Sequence, residues 1–359
     1  AAEAAEVGGA LCRRGACLRQ LGRLDEALAD LRDAVDREPK IAYYKAQLAR
    51  ALRDAGDRRG SEQLLREAAS LRPDDAEMRL EHATSLWELG KRGEADEAVA
   101  AALALAPSEP SVHLAFAQHL HRTACARHGP MRRAPMEAAV GAFADAERIA
   151  SLKREAMLQR VERLSTDEHR ASRTGRPLPL ASQADRSHAE LQAASLAEIA
   201  ADAAHGGGLA LADLGLSDEA CDRFEAALAL LPGRSESRLQ LAMAMVSLGR
   251  QHSALVELEQ CGRQRPGWAA PRRLKAELHR ERGELGPACE EFSAAMACAD
   301  GVIDDRVRRG GVKMLLGLPH AALDDFEAAL ALAVPSGPPT AKLHVAHAAA
   351  LRAVGQRKR

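Results

Sequence analysis

Glycine and proline recur in this chain at one fixed interval, and the interval limits what the chain can fold into. Gly22, Gly56 and Gly90 stand 34 residues apart, and Pro39, Pro73 and Pro107 keep the same step at an offset of 17. Gly215, Gly249, Gly283 and Gly317 repeat the step of 34 further on, with Pro232 and Pro266 again at an offset of 17. Two residue types held in phase near both ends of a chain mark an internal repeat, which has to be recognised before anything else is read.

Between these markers the apolar period is helical. Ala27, Leu31 and Ala34 fall at spacings of four and three, so they share one helical face. The same face recurs as Ala95, Val99 and Ala102, as Ala220, Phe224 and Ala227, as Ala288, Phe292 and Ala295, and as Ala322, Phe326 and Ala329. Each unit therefore reads as a pair of helices. Glycine ends the first, where a left-handed residue costs little. Alanines let the two helices approach closely, and the larger Leu or Phe fills the gap between them. Proline stops the second helix because it cannot continue the hydrogen-bond ladder. The composition agrees: 47% of residues are hydrophobic but only 3% aromatic, which suits helices packed through small side chains.

The period and the residue pattern resemble the tetratricopeptide repeat family. The match covers most of the chain, with repeats over 8–41, 42–75, 76–109, 201–234, 235–268, 269–302 and 303–336, and a further first helix over 341–354. The resemblance implies an all-α superhelical solenoid of antiparallel helix pairs, about eight to nine repeats long, with the first helices lining the concave side. The chain departs from the family near the start of the first helix, where Leu11, Lys45 and Arg79 replace its aromatic residues.

The middle of the chain breaks the rhythm, because the distance from Gly90 to Gly215 is not a multiple of 34. Residues 110–150 still read as a repeat, with Ala139, Phe143 and Ala146 on its second helix and an enlarged loop between the helices. An amphipathic helix follows over 152–164. The polar stretch 165–183, with Pro177 and Pro179, reads as a flexible loop. Three regions are expected: an N-terminal repeat block over 1–150, irregular helices over 151–200, and a C-terminal block over 201–359. Gly206, Gly207 and Gly208 fall inside a first helix, where each costs about 1 kcal/mol against alanine. They read as a hinge.

Lys and Arg number 50 against 51 Asp and Glu, which argues against a general nucleic-acid or membrane-surface binder. No apolar run reaches the length of a membrane span, and residues 1–14 lack the pattern of a signal peptide. Seven cysteines with no C-x-x-C spacing fit neither a disulfide framework nor a structural zinc site. The expected setting is reducing, hence intracellular and cytoplasmic. His121, Cys125 and His128 lie close in sequence but match no common zinc spacing. No nucleophile, phosphate-cradle or metalloprotease motif is present. We therefore expect no catalytic residue, no metal and no cofactor.

By repeat phase the concave face carries Arg13, Arg19, Tyr43, Gln47, Arg50, Arg53, Glu77, Glu81, Trp87, Gln118, His121 and Arg122. Relatives that grip acidic chaperone tails are implied to use a clamp of Lys, Asn and Arg, and this chain has no asparagine at all. The expected function is a non-catalytic scaffold in a multiprotein assembly, binding partner helices or extended segments along the groove. One alternative is an adaptor that reads an acidic tail through its N-terminal arginines. Another is the targeting region of a larger enzyme.

Overall fold

A computed structural model describes residues 2–127, 129–174, 180–298, 302–332 and 338–357. Among these the regular structure is helical, with no strand. The chain forms two compact units, residues 1–210 and 211–359.

In the first unit, α1 (Ala2–Gln20) pairs with α2 (Leu24–Arg37), α3 (Ala42–Asp54) with α4 (Arg58–Leu71), and α5 (Ala76–Glu88) with α6 (Arg92–Leu105). A fourth pair is formed by α7 (Pro110–Cys125) and α8 (Arg133–Thr174), joined through a 3-10 turn at Gly129–Arg132. Helix α9 (Leu180–Asp213) follows, and the division between units falls inside it. In the second unit, α10 (Ser217–Leu230) packs on α11 (Ser235–Ser247), which pairs with α12 (Gln251–Gln264). Then come α13 (Ala269–Glu281) with α14 (Leu285–Met296), α15 (Val302–Leu315) with α16 (Pro319–Leu332), and α17 (Pro338–Arg357). Helix α17 continues past Gly355, beyond the stop expected there.

The two kinds of turn follow from the two marker residues. Gly22, Gly56, Gly90, Gly215, Gly249, Gly283 and Gly317 all have φ between +73° and +89°. At such a residue the chain leaves the helix and closes a six-residue loop, as in Arg23 N–H to Leu18 C=O at 3.0 Å. A side chain there would be strained whatever the space around it. The second helices end differently. Glu38, Arg72, Ala106, Leu231 and Arg265 each precede a proline and have φ near −130°, outside the helical region.

The buried face is the one the repeat pattern marks. Ala27, Leu31 and Ala34 are fully buried, as are Ala220, Phe224 and Ala227, and Ala288, Phe292 and Ala295. Small apolar clusters run from each pair to the next, such as Leu28, Leu31, Tyr44 and Leu48 across α2 and α3. This is the nearest-neighbour stacking that stabilises repeat arrays.

The long helices α8 and α9 differ from the expectation of a flexible loop over 165–183. Helix α8 continues to Thr174 and α9 is already formed at Leu180, with 175–179 outside the described residues. Residues 165–174 contain neither glycine nor proline, so nothing stops the helix; Gly175, Pro177 and Pro179 come only afterwards. After Ala150 no described residue of α8 is buried, and the first buried residue of α9 is Ala189. The paired ends form a largely solvated arm, tied by Arg186 to Glu168 at 2.7 Å. No described helix is long and apolar enough to cross a membrane.

Candidate partner-binding face

The candidate face is built from the first helices of the first unit, α1, α3, α5 and α7. The glycine turns set these helices side by side, one per repeat. Their exposed positions therefore recur every 34 residues, and charges a repeat apart in sequence become neighbours in space.

That register consumes two of the expected ligand-binding arginines. Arg19 of α1 donates to Asp54 of α3 at 2.7 Å. Arg50 of α3 grips both carboxylate oxygens of Glu81 on α5 and lies 3.8 Å from Glu77. Gln47 is buried, 5% exposed, and presents no surface to a partner. His121 is half-buried and meets the ring of Phe143 edge-on at 6.3 Å. Arg13 and Gln118 are exposed, Tyr43 is 47% exposed, and Arg53 is half-buried. Sequence reasoning placed Glu81 on this face without pairing it, and missed Asp54. The available signal was opposite charges about one repeat apart.

The seam between α5 and α7 is made differently. Arg122 lies over the Trp87 ring, 5.4 Å from its centroid. Its Nε makes one long contact, 3.4 Å to the Gln118 carbonyl. Among the described residues no carboxylate stands within ion-pair distance of it. Burial pulls the Arg122 guanidinium below its ordinary pKa, only partly opposed by the charge of Glu88. The Trp87 indole N–H is itself buried without an acceptor. Of the arginines placed on this face, Arg122 is the one held by stacking against an aromatic ring rather than by a carboxylate.

Two other readings from the sequence concern this unit. Gly206, Gly207 and Gly208 lie within α9, which runs through them without a break. A Cβ on Gly206 would sit 2.3 Å from the Phe143 ring, so close helix packing accounts for glycine at that position. His121 Nε2 and Cys125 Sγ lie 3.7 Å apart, and His128 is outside the described residues.

No curated protein matches the sequence. Among solved structures, a tetratricopeptide repeat protein from Parabacteroides merdae shares 13% identity, covering 86% of this chain and 99% of its own at a TM-score of 0.48. A thermophilic tetratricopeptide repeat protein of Thermus thermophilus shares 20%, covering 66% and 98% at a TM-score of 0.44. The human IFIT1 dimer with PPP-AAAA shares 15%, covering 90% and 72% at a TM-score of 0.48. Residues 8–41 match the family model described as tetratricopeptide repeat. That match falls on the first helix pair, and the same pair recurs at 34-residue steps in each unit, so the chain is built of tetratricopeptide-type helix pairs.

Proposed function

We propose that this chain is a protein-binding scaffold whose first-helix face, over α1, α3, α5 and α7, holds a helical or extended segment of a partner protein. The observation that carries the reading is the Trp87–Arg122 pair. A half-buried cation in no ion pair and a buried indole N–H without an acceptor are both costs that a partner's acceptor groups would remove. Trp, Tyr and Arg are also the side chains that most often dominate protein interfaces, and Tyr43 lies exposed on the same face. The proposed role is non-catalytic, with the array serving as one subunit of a larger assembly.

A second reading, an adaptor for an acidic tail, draws support from Arg13, Arg53 and Arg122, which face no carboxylate at ion-pair distance among the described residues. Arg19 and Arg50 already have carboxylate partners, so a tail using them would have to displace Asp54 and Glu81.

The test is site-specific photo-crosslinking in the native source. A crosslinking residue is placed at Gln118 or Tyr43 on the face, and at Arg66, exposed on α4, as control. The scaffold reading expects defined adducts from the first two positions and none from Arg66. It also expects their loss in the W87A/R122A double variant and persistence in about 0.5 M salt, where exposed charge attraction is screened. Adducts that vanish with salt or with charge reversal at Arg50 and Arg53 favour the adaptor. Adducts from Arg66 alone overturn both.

A further inference from the structure

A cleft of about 270 Å³ opens in the second unit between α12, α13 and α14. It is lined by Leu258, Glu259, Gly262 and Arg263 from α12, by Pro271, Arg272 and Lys275 from α13, and by Glu291 from α14. The repeat explains why it is there. The position held by Gly262 is taken by Val35, Ala69, Leu103, Leu228, Met296 and Leu330 in the other regular repeats. Val35, Leu103 and Leu330 pack into the seam between one pair and the next. Gly262 leaves that place empty, and a Cβ built on it meets nothing within 4 Å.

The space is lined with charges of both signs. Lys275 bridges the two carboxylates, 2.8 Å from Glu259 and 2.7 Å from Glu291. It holds the Glu259 carboxyl below its usual range, so that acid stays ionised. Arg272 is held less firmly, with Nη1 3.7 Å from Glu291 Oε2. Arg272 Nε and Glu291 Oε2 are both buried and neither has a hydrogen-bond partner. An unmet donor and an unmet acceptor thus stand side by side at one cleft. Arg263, mostly exposed, stands at the rim beside Glu259.

We infer that this cleft binds a free α-amino acid, its carboxylate meeting Arg272 and Arg263 and its ammonium meeting Glu291 and Glu259. A compact dianion would face two carboxylates, and a simple amine would face three cations. A ligand with both charges a few ångströms apart matches both. The volume lies just below the roughly 300–1,000 Å³ of ordinary small-molecule sites, which limits the ligand to amino-acid size. It exceeds the roughly 30 Å³ of one water, so a single bridging water does not fill it. Leu258 and Pro271 offer a short apolar wall to a small side chain.

Isothermal titration of the purified full chain with the twenty amino acids tests the inference. At least one should bind with measurable heat at millimolar concentration. Its N-acetyl and carboxamide derivatives should bind about tenfold more weakly or less, since each loses one charged contact. Gly262→Leu should abolish binding while keeping the melting temperature, because leucine is what Leu103, Leu228 and Leu330 place there. Arg272→Gln should weaken binding about tenfold with an unchanged helical spectrum, which keeps the test open should the leucine variant fold poorly. No heat from any amino acid, equal binding by the N-acetyl derivative, or unchanged binding by Arg272→Gln would overturn it.

Discussion

Arg309 and Asp325 stand 16 residues apart and meet through two parallel hydrogen bonds of 2.9 and 2.6 Å. Arg14 and Asp30 do the same at the same separation, with two bonds of 2.5 Å, and Lys275 reaches Glu291 at 2.7 Å. In each pair the cation and the acid lie equally far on either side of the turn glycine: Gly317, Gly22 and Gly283. The helix hairpin therefore brings them level. Asp325 is almost wholly buried, 4% exposed at its side chain, and Lys313 is a second partner at 2.8 Å. Asp325→Ala would leave two cations facing an empty place. We expect it to lower stability by about 3 kcal/mol or more in urea unfolding followed by circular dichroism. The Arg309→Met/Lys313→Met/Asp325→Leu triple variant should recover most of that loss, since apolar side chains of similar volume replace a buried ion cluster at little cost.

The same pairs set the response to acid. Hydrogen bonds from Arg14 hold the Asp30 carboxyl below its ordinary value, and those from Lys45 do so for Glu67. For Asp325, burial pushes the carboxyl up, but the bonds from Arg309 and Lys313 outweigh it and the net direction is down. A folded-state value below the unfolded one gives stability that is complete above the unfolded value of about 4 and is lost as pH falls through the folded value. On account of these groups the melting temperature should stay level from pH 7 to 5 and decline below pH 4. Asp30→Asn should flatten part of that acid limb. A fall that is already complete by pH 5 would assign it to other groups.

The parts of the fold that were legible in the sequence are the local ones. A glycine at positive φ and a proline after an extended residue each act within a few residues, so Gly22 and Pro39 announce their turns directly. Ala27, Leu31 and Ala34 announce a buried face because a helix cannot hide them otherwise. In the arm, the helix over 152–164 was legible from its apolar period, but its continuation through 165–174 was not, because a mostly solvated helix needs no apolar period and its polar composition imitates a loop. Gly206 read as a weak point on helix propensity alone, and only the tertiary structure brings the Phe143 ring against it. The face on α1, α3, α5 and α7 was placed by phase, but the occupation of Arg19 and Arg50 depends on how neighbouring helices register. Nothing in a single repeat encodes that.

The cysteines separate by burial. Cys17 and Cys125 are exposed, whereas Cys12, Cys221, Cys261 and Cys298 are buried. Burial pushes the Cys261 thiol up to about 11, with Arg238 pulling weakly the other way, and its S–H donates to the Ser235 carbonyl at 3.2 Å. At pH 8 only about one Cys261 in a thousand is thiolate, the reactive form. A disulfide exchange reagent at pH 8 should therefore modify Cys17 and Cys125 first. Cys261 should react only on addition of denaturant, which peptide mapping of the modified protein would read. Early labelling of Cys261 in the native protein would contradict the packing of α11 against α12.

Two adjacent glycines of α15 should respond oppositely to the same change. A Cβ on Gly310 would fall 2.6 Å from the Phe326 ring, whereas one on Gly311 meets nothing within 4 Å. Neither is at a turn, so alanine suits the backbone of both. Gly311→Ala should raise stability by about 0.5–1 kcal/mol, the ordinary helix preference for alanine. Gly310→Ala gains the same preference but forces α15 and α16 apart, and overpacking of this kind costs about 1–3 kcal/mol. The preceding pair sets a bound on that cost. There Ala276, at the equivalent position, packs with Phe292, both fully buried, so a helix pair of this chain can accommodate the methyl when its spacing allows. The net effect at Gly310 should therefore be a loss of stability, partly recovered by trimming Phe326 to Leu in the double variant. Equal stabilisation by both alanines in thermal melts would mean that the Gly310–Phe326 approach does not constrain the spacing of the last helix pair.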